Sequence, residues 1–248
     1  MAPKKYKFDI LDGLLHLFSG FGLITQKGIR QWVLIPLLIN VVLFAGLIIY
    51  TSMQMDLLAV SFENWLPNWL DWLSILLWPL FILSVVMFVF FGFTFIANFI
   101  AAPFNALLSA AVERHLTGQE PSEAKTTLWA MVIGSLLDEL RKLTYNLLRL
   151  LPILILFIIP GLQLIAPVLL FLFTIWMLTL QYVDYPMGNN GLNFKTQREY
   201  LRKRRLLSLS FGSGTFLITL IPGLNLLVIP VAVAGATRLW VEEFMQQQ

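Results

Sequence analysis

The sequence predicts an all-α integral membrane protein. It has two long transmembrane helices, two re-entrant helical hairpins that penetrate only part of the bilayer, and interfacial amphipathic helices. Three observations predict it. First, the 248 residues are 58% hydrophobic and only 12% charged, with 20 Phe and 8 Trp, a composition that excludes an ordinary soluble domain. Second, a phrase recurs inside two apolar stretches. One carries Ile159-Pro160-Gly161-Leu162-Gln163-Leu164 and then Pro167-Val168; the other carries Ile221-Pro222-Gly223-Leu224-Asn225-Leu226 and then Pro230-Val231. Third, Lys and Arg are absent between Arg30 and Arg114 and clustered elsewhere, the asymmetry that orients membrane helices.

In chain order, residues 1–7 are polar and no small-residue cleavage site follows a short apolar core, so no cleavable signal peptide is expected. Residues 8–27 place Ile10, Leu11, Leu14, Leu15, Phe18 and Phe21 at helical spacing beside Asp9, Asp12 and His16, predicting an interfacial amphipathic helix. Residues 32–50 form the first span, interrupted only by Pro36 and Asn40. Residues 51–72 hold Asp56, Glu63 and Asp71 without a basic residue, and Trp65, Trp69, Trp72 and Trp78 make an aromatic belt. That segment is the external loop.

Residues 73–102 form the second span. Its length of about 45 Å as helix exceeds a hydrocarbon core of roughly 30 Å, so it tilts or continues inward. Pro103 should kink it, because proline removes a backbone donor. Helix resumes over 107–116, a turn follows at Thr117-Gly118-Gln119-Glu120-Pro121, and 129–148 reads as an amphipathic helix on the inner face, bearing Asp138, Glu139, Arg141 and Lys142.

The two apolar stretches, 150–182 and 206–237, each read as helix, irregular tip, helix. Pro-Gly ends a helix, and a proline several residues later suits the first turn of the next. Arms of about 10 to 16 residues reach roughly 15 to 24 Å, whereas a full crossing needs about 20 residues. Basic residues flank both stretches: Arg141, Lys142 and Arg149 before the first, Lys195, Arg198 and Arg202 through Arg205 between them, and Arg238 after the second. Short basic loops stay cytoplasmic, so both hairpins return to the side they left and both termini lie inside. The whole chain, 1–248, reads as one transmembrane domain.

Enzymatic chemistry is not expected. The chain has no cysteine, hence no disulfide, thiolate nucleophile or thiolate metal site. His16 and His115 have no metal-ligand spacing around them. Phe211-Gly212-Ser213-Gly214 lacks the first glycine and the strand context of a serine elbow, and no Walker loop is present. Neither catalytic residues, metal nor cofactor are expected. The net charge of +3 follows from the positive-inside bias, and no nucleic-acid-binding motif accompanies it.

Several polar groups remain as site candidates. Lys27, Gly28, Ile29, Arg30 and Gln31 precede the first span, where a helix N-terminus, its amides and two cations suit an oxyanion; the alternative is an anchor to lipid phosphates. Gln163 and Asn225 sit at the repeated tips, where irregular backbone must line a wet cavity or pack on protein. Glu113 and Arg114 face a vestibule or form ion pairs on a wet face. Asn40 and Asn98 lie within the spans as pore-lining or interhelical groups. The run 202–205 reads as a membrane-surface and orientation signal.

Gly28-Ile29-Arg30 before Leu34-Ile35-Pro36-Leu37, and Ile96-Ala97-Asn98 running into Ala101-Ala102-Pro103-Phe104-Asn105, resemble the CysZ sulfate transporters. So do Leu116-Thr117-Gly118, Gln181-Tyr182-Val183-Asp184-Tyr185-Pro186 and Pro230-Val231-Ala232-Val233-Ala234-Gly235-Ala236-Thr237. The match is collinear over nearly the whole chain. The resemblance implies ATP-independent sulfate uptake across a bacterial inner membrane, supplying sulfate assimilation and cysteine biosynthesis, by a homo-oligomer in the lipid bilayer. It also implies that the family's Gly-Ile-Arg-Arg sulfate motif falls on Gly28, Ile29, Arg30 and Gln31, with Gln31 where a second arginine is usual. A broad anion channel and a non-transporting membrane scaffold are the alternatives.

Overall fold

Every regular element among the described residues is helical. The structure, a computed structural model, describes residues 9–65, 67, 73–121 and 128–247, with a few side chains such as Asn98 and 128–141 left out. The expectations for residues 1–7, Trp69 and Trp72, and for the side chains of Asn98, Asp138, Glu139 and Arg141, lie outside that set. Four stretches are long and apolar enough to cross a membrane: Gln31–Trp65, Ile75–Thr94, Leu162–Asn189 and Leu224–Phe244. The chain divides into two compact units, 32–104 and the remainder.

The first unit contains most of α2 (Gln31–Trp65) and α3 (Ser74–Thr117). The expected span 32–50 is too short: α2 continues to Trp65, so much of the expected external loop is helix. No glycine or proline breaks the chain between Tyr50 and Pro67, and two serines there bond back onto the helix. Ser52 Oγ donates to the Ile49 carbonyl at 2.8 Å and Ser61 Oγ to that of Leu57 at 2.7 Å. At 35 residues, α2 is about 52 Å long. Likewise α3 runs unbroken through Pro79 and Pro103, so the expected segments 73–102 and 107–116 are one helix. Ring contacts hold the unit together, with Phe44 4.8 Å from Phe93 and Phe62 4.4 Å from Phe81. Many of its other apolar side chains face outward, as lipid-facing residues do; Phe88 is 81% exposed.

The second unit is built on α1 (Asp9–Ile24), α5 (Ala166–Asn189), α7 (Arg205–Thr219) and α8 (Val228–Leu239), with α4 (Leu128–Leu156) and α6 (Phe194–Lys203) beside them. Both repeated phrases form tips. α4 ends at Leu156, Gly161 takes a left-handed φ of 85°, and a 3-10 turn over Leu162–Leu164 leads into α5. α7 ends at Thr219, Gly223 takes φ 87°, and a 3-10 turn over Leu224–Leu227 leads into α8. Pro167 and Pro230 stand in the first turns of the helices that follow, where their missing donors cost nothing. Two boundaries differ from expectation. The amphipathic helix 129–148 and the first hairpin arm are one helix, α4, continuing through Pro152. The loop expected from Asp184 to Arg205 is mostly helical, as the end of α5 and the whole of α6.

The core of this unit was not foreseen. α1 packs against α7 and α8, and α5 packs against both of those helices. Small residues permit the approach: a Cβ on Gly13 would fall 1.9 Å from Ser210 Oγ, and one on Gly20 2.1 Å from the Val231 carbonyl oxygen. Meanwhile Ile10, Leu11, Leu15 and Phe18 on the opposite side of α1 are all more than half exposed. Close backbones joined through small residues, with large apolar groups outward, is how helices pack in lipid.

Candidate functional site

The segment 25–31 is a tight turn between α1 and α2. Ile29 is 1% exposed and pins it to the second unit's core, while Lys27, Gly28, Arg30 and Gln31 are exposed around it. Gly28 has φ 88°, a left-handed conformation that glycine adopts without strain. The amides of Ile29 and Arg30 both donate to the Gln26 carbonyl, at 3.2 and 3.0 Å. That corrects the expectation that every amide from Gly28 to Gln31 faces an anion, because the turn itself uses two of them. What remains is the positive end of α2 at Gln31, the Arg30 fork, the Lys27 ammonium and the Gln31 amide, all reachable from solvent. This arrangement can receive an oxyanion by charge and by donors.

The other candidates stand apart. No hydrogen bond or ion pair among the described residues joins one candidate to another. Gln163 and Asn225 are exposed at the two tips, surrounded by apolar side chains as exposed as Leu164 at 85% and Leu226 at 74%. Asn40 is half-buried in α2, and its Oδ1 is buried without a partner. Arg114 pairs with Glu120 at 2.7 Å in the open.

Glu113 does not pair with a cation among the described residues. It is 1% exposed, and both carboxylate oxygens accept from Asn190 Nδ2 at 2.9 Å. Burial pushes its carboxyl above the ordinary value, and the Asn190 hydrogen bond offsets only part of that. The folded state therefore holds a proton that the unfolded chain gives up more readily. Stability from this group is present below the ordinary carboxyl value of 4.5 and is lost as pH rises toward the raised value. Glu113→Gln should gain on wild type as pH rises through that window. Thermal unfolding across a pH series checks it; a melting temperature of Glu113→Gln that falls relative to wild type as pH rises contradicts it.

A buried ionic cluster escaped the sequence reading. Arg204 is 6% exposed, not the membrane-surface charge expected; it donates to Asp9 Oδ1 at 2.5 Å and to Glu243 Oε2. Its neighbour His16 is 7% exposed, with Nε2 3.2 Å from Glu242 Oε2, and Arg238 Nε donates to Glu242 Oε1 at 2.7 Å. On α4, Lys142 reaches Asp184 at 2.6 Å, and the buried Gln197 Nε2 donates to Asp184 Oδ1 at 2.9 Å. Except for Arg238 and Glu242, an i,i+4 pair, the ion-paired partners are far apart in sequence, so no local spacing announces them.

A family model described as sulfate transporter CysZ/etoposide-induced protein 2.4 matches residues 16–230, which include the 25–31 turn and both tips. The chain is 43% identical over 235 residues to the sulfate transporter CysZ of Pectobacterium atrosepticum, a match covering 94% of this chain and 86% of that protein. It is 43% identical over 239 residues to the sulfate transporter CysZ of Salmonella typhimurium, covering 93% and 92%. The corresponding protein of Salmonella paratyphi A is 42% identical over the same length.

Proposed function

The chain belongs to the family described as sulfate transporter CysZ/etoposide-induced protein 2.4, and on that premise we propose that it carries sulfate across the bacterial inner membrane without ATP. It is a transporter and not an enzyme. The observation that carries the proposal is near full-length identity with proteins named sulfate transporters. The exposed cationic turn before α2 supports it. The sulfate enters for assimilation into cysteine, and the protein works as a homo-oligomer within the bilayer, the chain acting as one transport domain. Sulfate carries two negative charges, so an inside-negative potential of 100 mV opposes its entry by roughly 4.6 kcal/mol. A concentration gradient, rapid consumption or proton coupling must supply that energy.

Purified protein in liposomes should pass labelled sulfate, and excess chloride or phosphate should compete weakly. Strong competition by both would make it a broad anion channel, and absent flux would leave a membrane scaffold. Sulfate is held at Arg30, on the cytoplasmic end of α2, with Lys27, Gln31 and the helix start, where it is released or sensed and not captured from outside. Arg30→Ala should weaken equilibrium binding by about 1.5 to 3 kcal/mol, the range for a hydrogen bond to a charged group. Arg30→Lys should fall between, since it keeps charge without the fork. Unchanged affinity in Arg30→Ala would leave Arg30 as a lipid anchor.

Both termini and the 184–205 segment lie in the cytoplasm, with the far end of α2 outside, and the two tips enter the bilayer without crossing it. Because the chain has no cysteine, introduced thiols report this cleanly. Gln197 is 2% exposed and unsuitable; Glu199 and Met53 are exposed. In intact cells an impermeant reagent should label Met53→Cys and spare Glu199→Cys. Labelling at Glu199→Cys would sink the two-hairpin topology.

A further inference from the structure

Between α4 and the start of α6, Tyr145, Asn193, Phe194, Lys195 and Arg198 line a cavity of about 440 Å³. The site is built around one ring. The Arg149 guanidinium carbon lies 3.8 Å and that of Arg198 4.5 Å from the Tyr145 centroid, and Phe194 meets the same ring edge-on at 5.3 Å. Among the described residues no carboxylate pairs with Arg149, Lys195 or Arg198. Two guanidinium groups sharing one phenol, with an ammonium beside them, repel one another unless an anion joins them.

Two further observations point to a ligand and not to packing alone. Arg198 Nε is buried without a hydrogen-bond partner, a costly arrangement for a charged donor. Tyr145 is 8% exposed, and its hydroxyl already accepts from Trp176 Nε1 at 3.1 Å. That leaves the hydroxyl proton free to be donated. Asn193 caps α6 by accepting from the Thr196 amide at 3.1 Å, and the same residue lines the cavity, which places the positive end of that helix beside it.

We propose that this cavity is a second oxyanion site, separate from the 27–31 turn, which holds a sulfate or phosphate group through Arg198, Lys195 and Arg149 with the Tyr145 hydroxyl as a donor. Free sulfate and the phosphate of an anionic phospholipid present the same chemistry, and experiment separates them. Full-length protein carrying Arg30→Ala, freed of lipid in a non-ionic detergent, should still bind labelled sulfate saturably. Adding Lys195→Ala with Arg198→Gln should weaken that binding at least tenfold. In the second arm, native mass spectrometry should show retention of phosphatidylglycerol over phosphatidylcholine, lost in the same variant.

Loss in the sulfate arm assigns the free ion, and loss in the lipid arm assigns the headgroup. If the double variant binds both probes as its parent does, the proposal is overturned; so too if the Arg30→Ala parent binds neither. Should the double variant not fold, the exposed Lys195→Ala alone should weaken the bound probe at least threefold, and no change there is equally fatal. Binding is read without flux, so failure here is distinct from failure of the transport reading.

Discussion

Gly212→Val should leave little folded protein. A Cβ at Gly212 would lie 1.9 Å from the Ile175 carbonyl oxygen and 2.7 Å from Thr179 Oγ1. The first obstacle is backbone, so no rotamer change relieves it; α7 must move away from α5. That movement also breaks the bond from Thr179 Oγ1 to the Ser208 carbonyl, 2.6 Å long and buried. Overpacking usually costs about 1 to 3 kcal/mol where side chains can adjust, and this contact exceeds that range because they cannot. Size-exclusion profile and melting temperature in detergent are the measurements. Gly46→Ala is the control, since nothing lies within 4 Å of a Cβ there, and it should melt at or above wild type. Normal melting of Gly212→Val would mean that the α5–α7 seam is looser than its glycine indicates.

Arg204→Ala carries the second large effect. The guanidinium is 6% exposed and bridges Asp9, 18% exposed, to Glu243, 12% exposed. Removing it leaves two carboxylates shielded from water and close to each other. Breaking a buried pair from one side costs about 3 to 5 kcal/mol. Arg204→Lys should recover only part of this, because an ammonium keeps the charge without the planar fork of the guanidinium. Arg202→Ala and Arg205→Ala, both exposed, should melt like wild type. Three arginines within four positions would then differ sharply in thermal unfolding; equal effects at Arg202 and Arg204 would dissolve the bridging role.

That contrast shows what a sequence reveals in this kind of protein. The helices and the breaks at both Pro-Gly phrases were legible, because Pro-Gly punctuation and apolar length act locally. Helix ends were less so: α2 outruns its apolar stretch because serines can bond back onto a helix, and α4 absorbs Pro152. The core of the second unit was hidden for a different reason. Reading α1 by its large apolar residues finds the stripe Ile10, Leu11, Leu15 and Phe18, which the structure leaves exposed. In lipid the informative face is the small one, and Gly13 and Gly20, visible in the sequence, carried that signal. At the candidate site, Gly28 beside an arginine was readable as a helix start. The use of two amides by the Gln26 carbonyl was not, since it depends on turn geometry. Arg204 and His16 were misjudged because their partners lie at the far ends of the chain.

The same bridge sets a timetable. Glu243 is made 234 residues after Asp9, so at roughly 5 to 20 residues per second the first carboxylate waits about 10 to 50 s for its bridge to close. For most of that interval, until residues 205–239 are made, α1 has neither α7 nor α8 to lie against. Until they arrive, the small face at Gly13 and Gly20 has no partner.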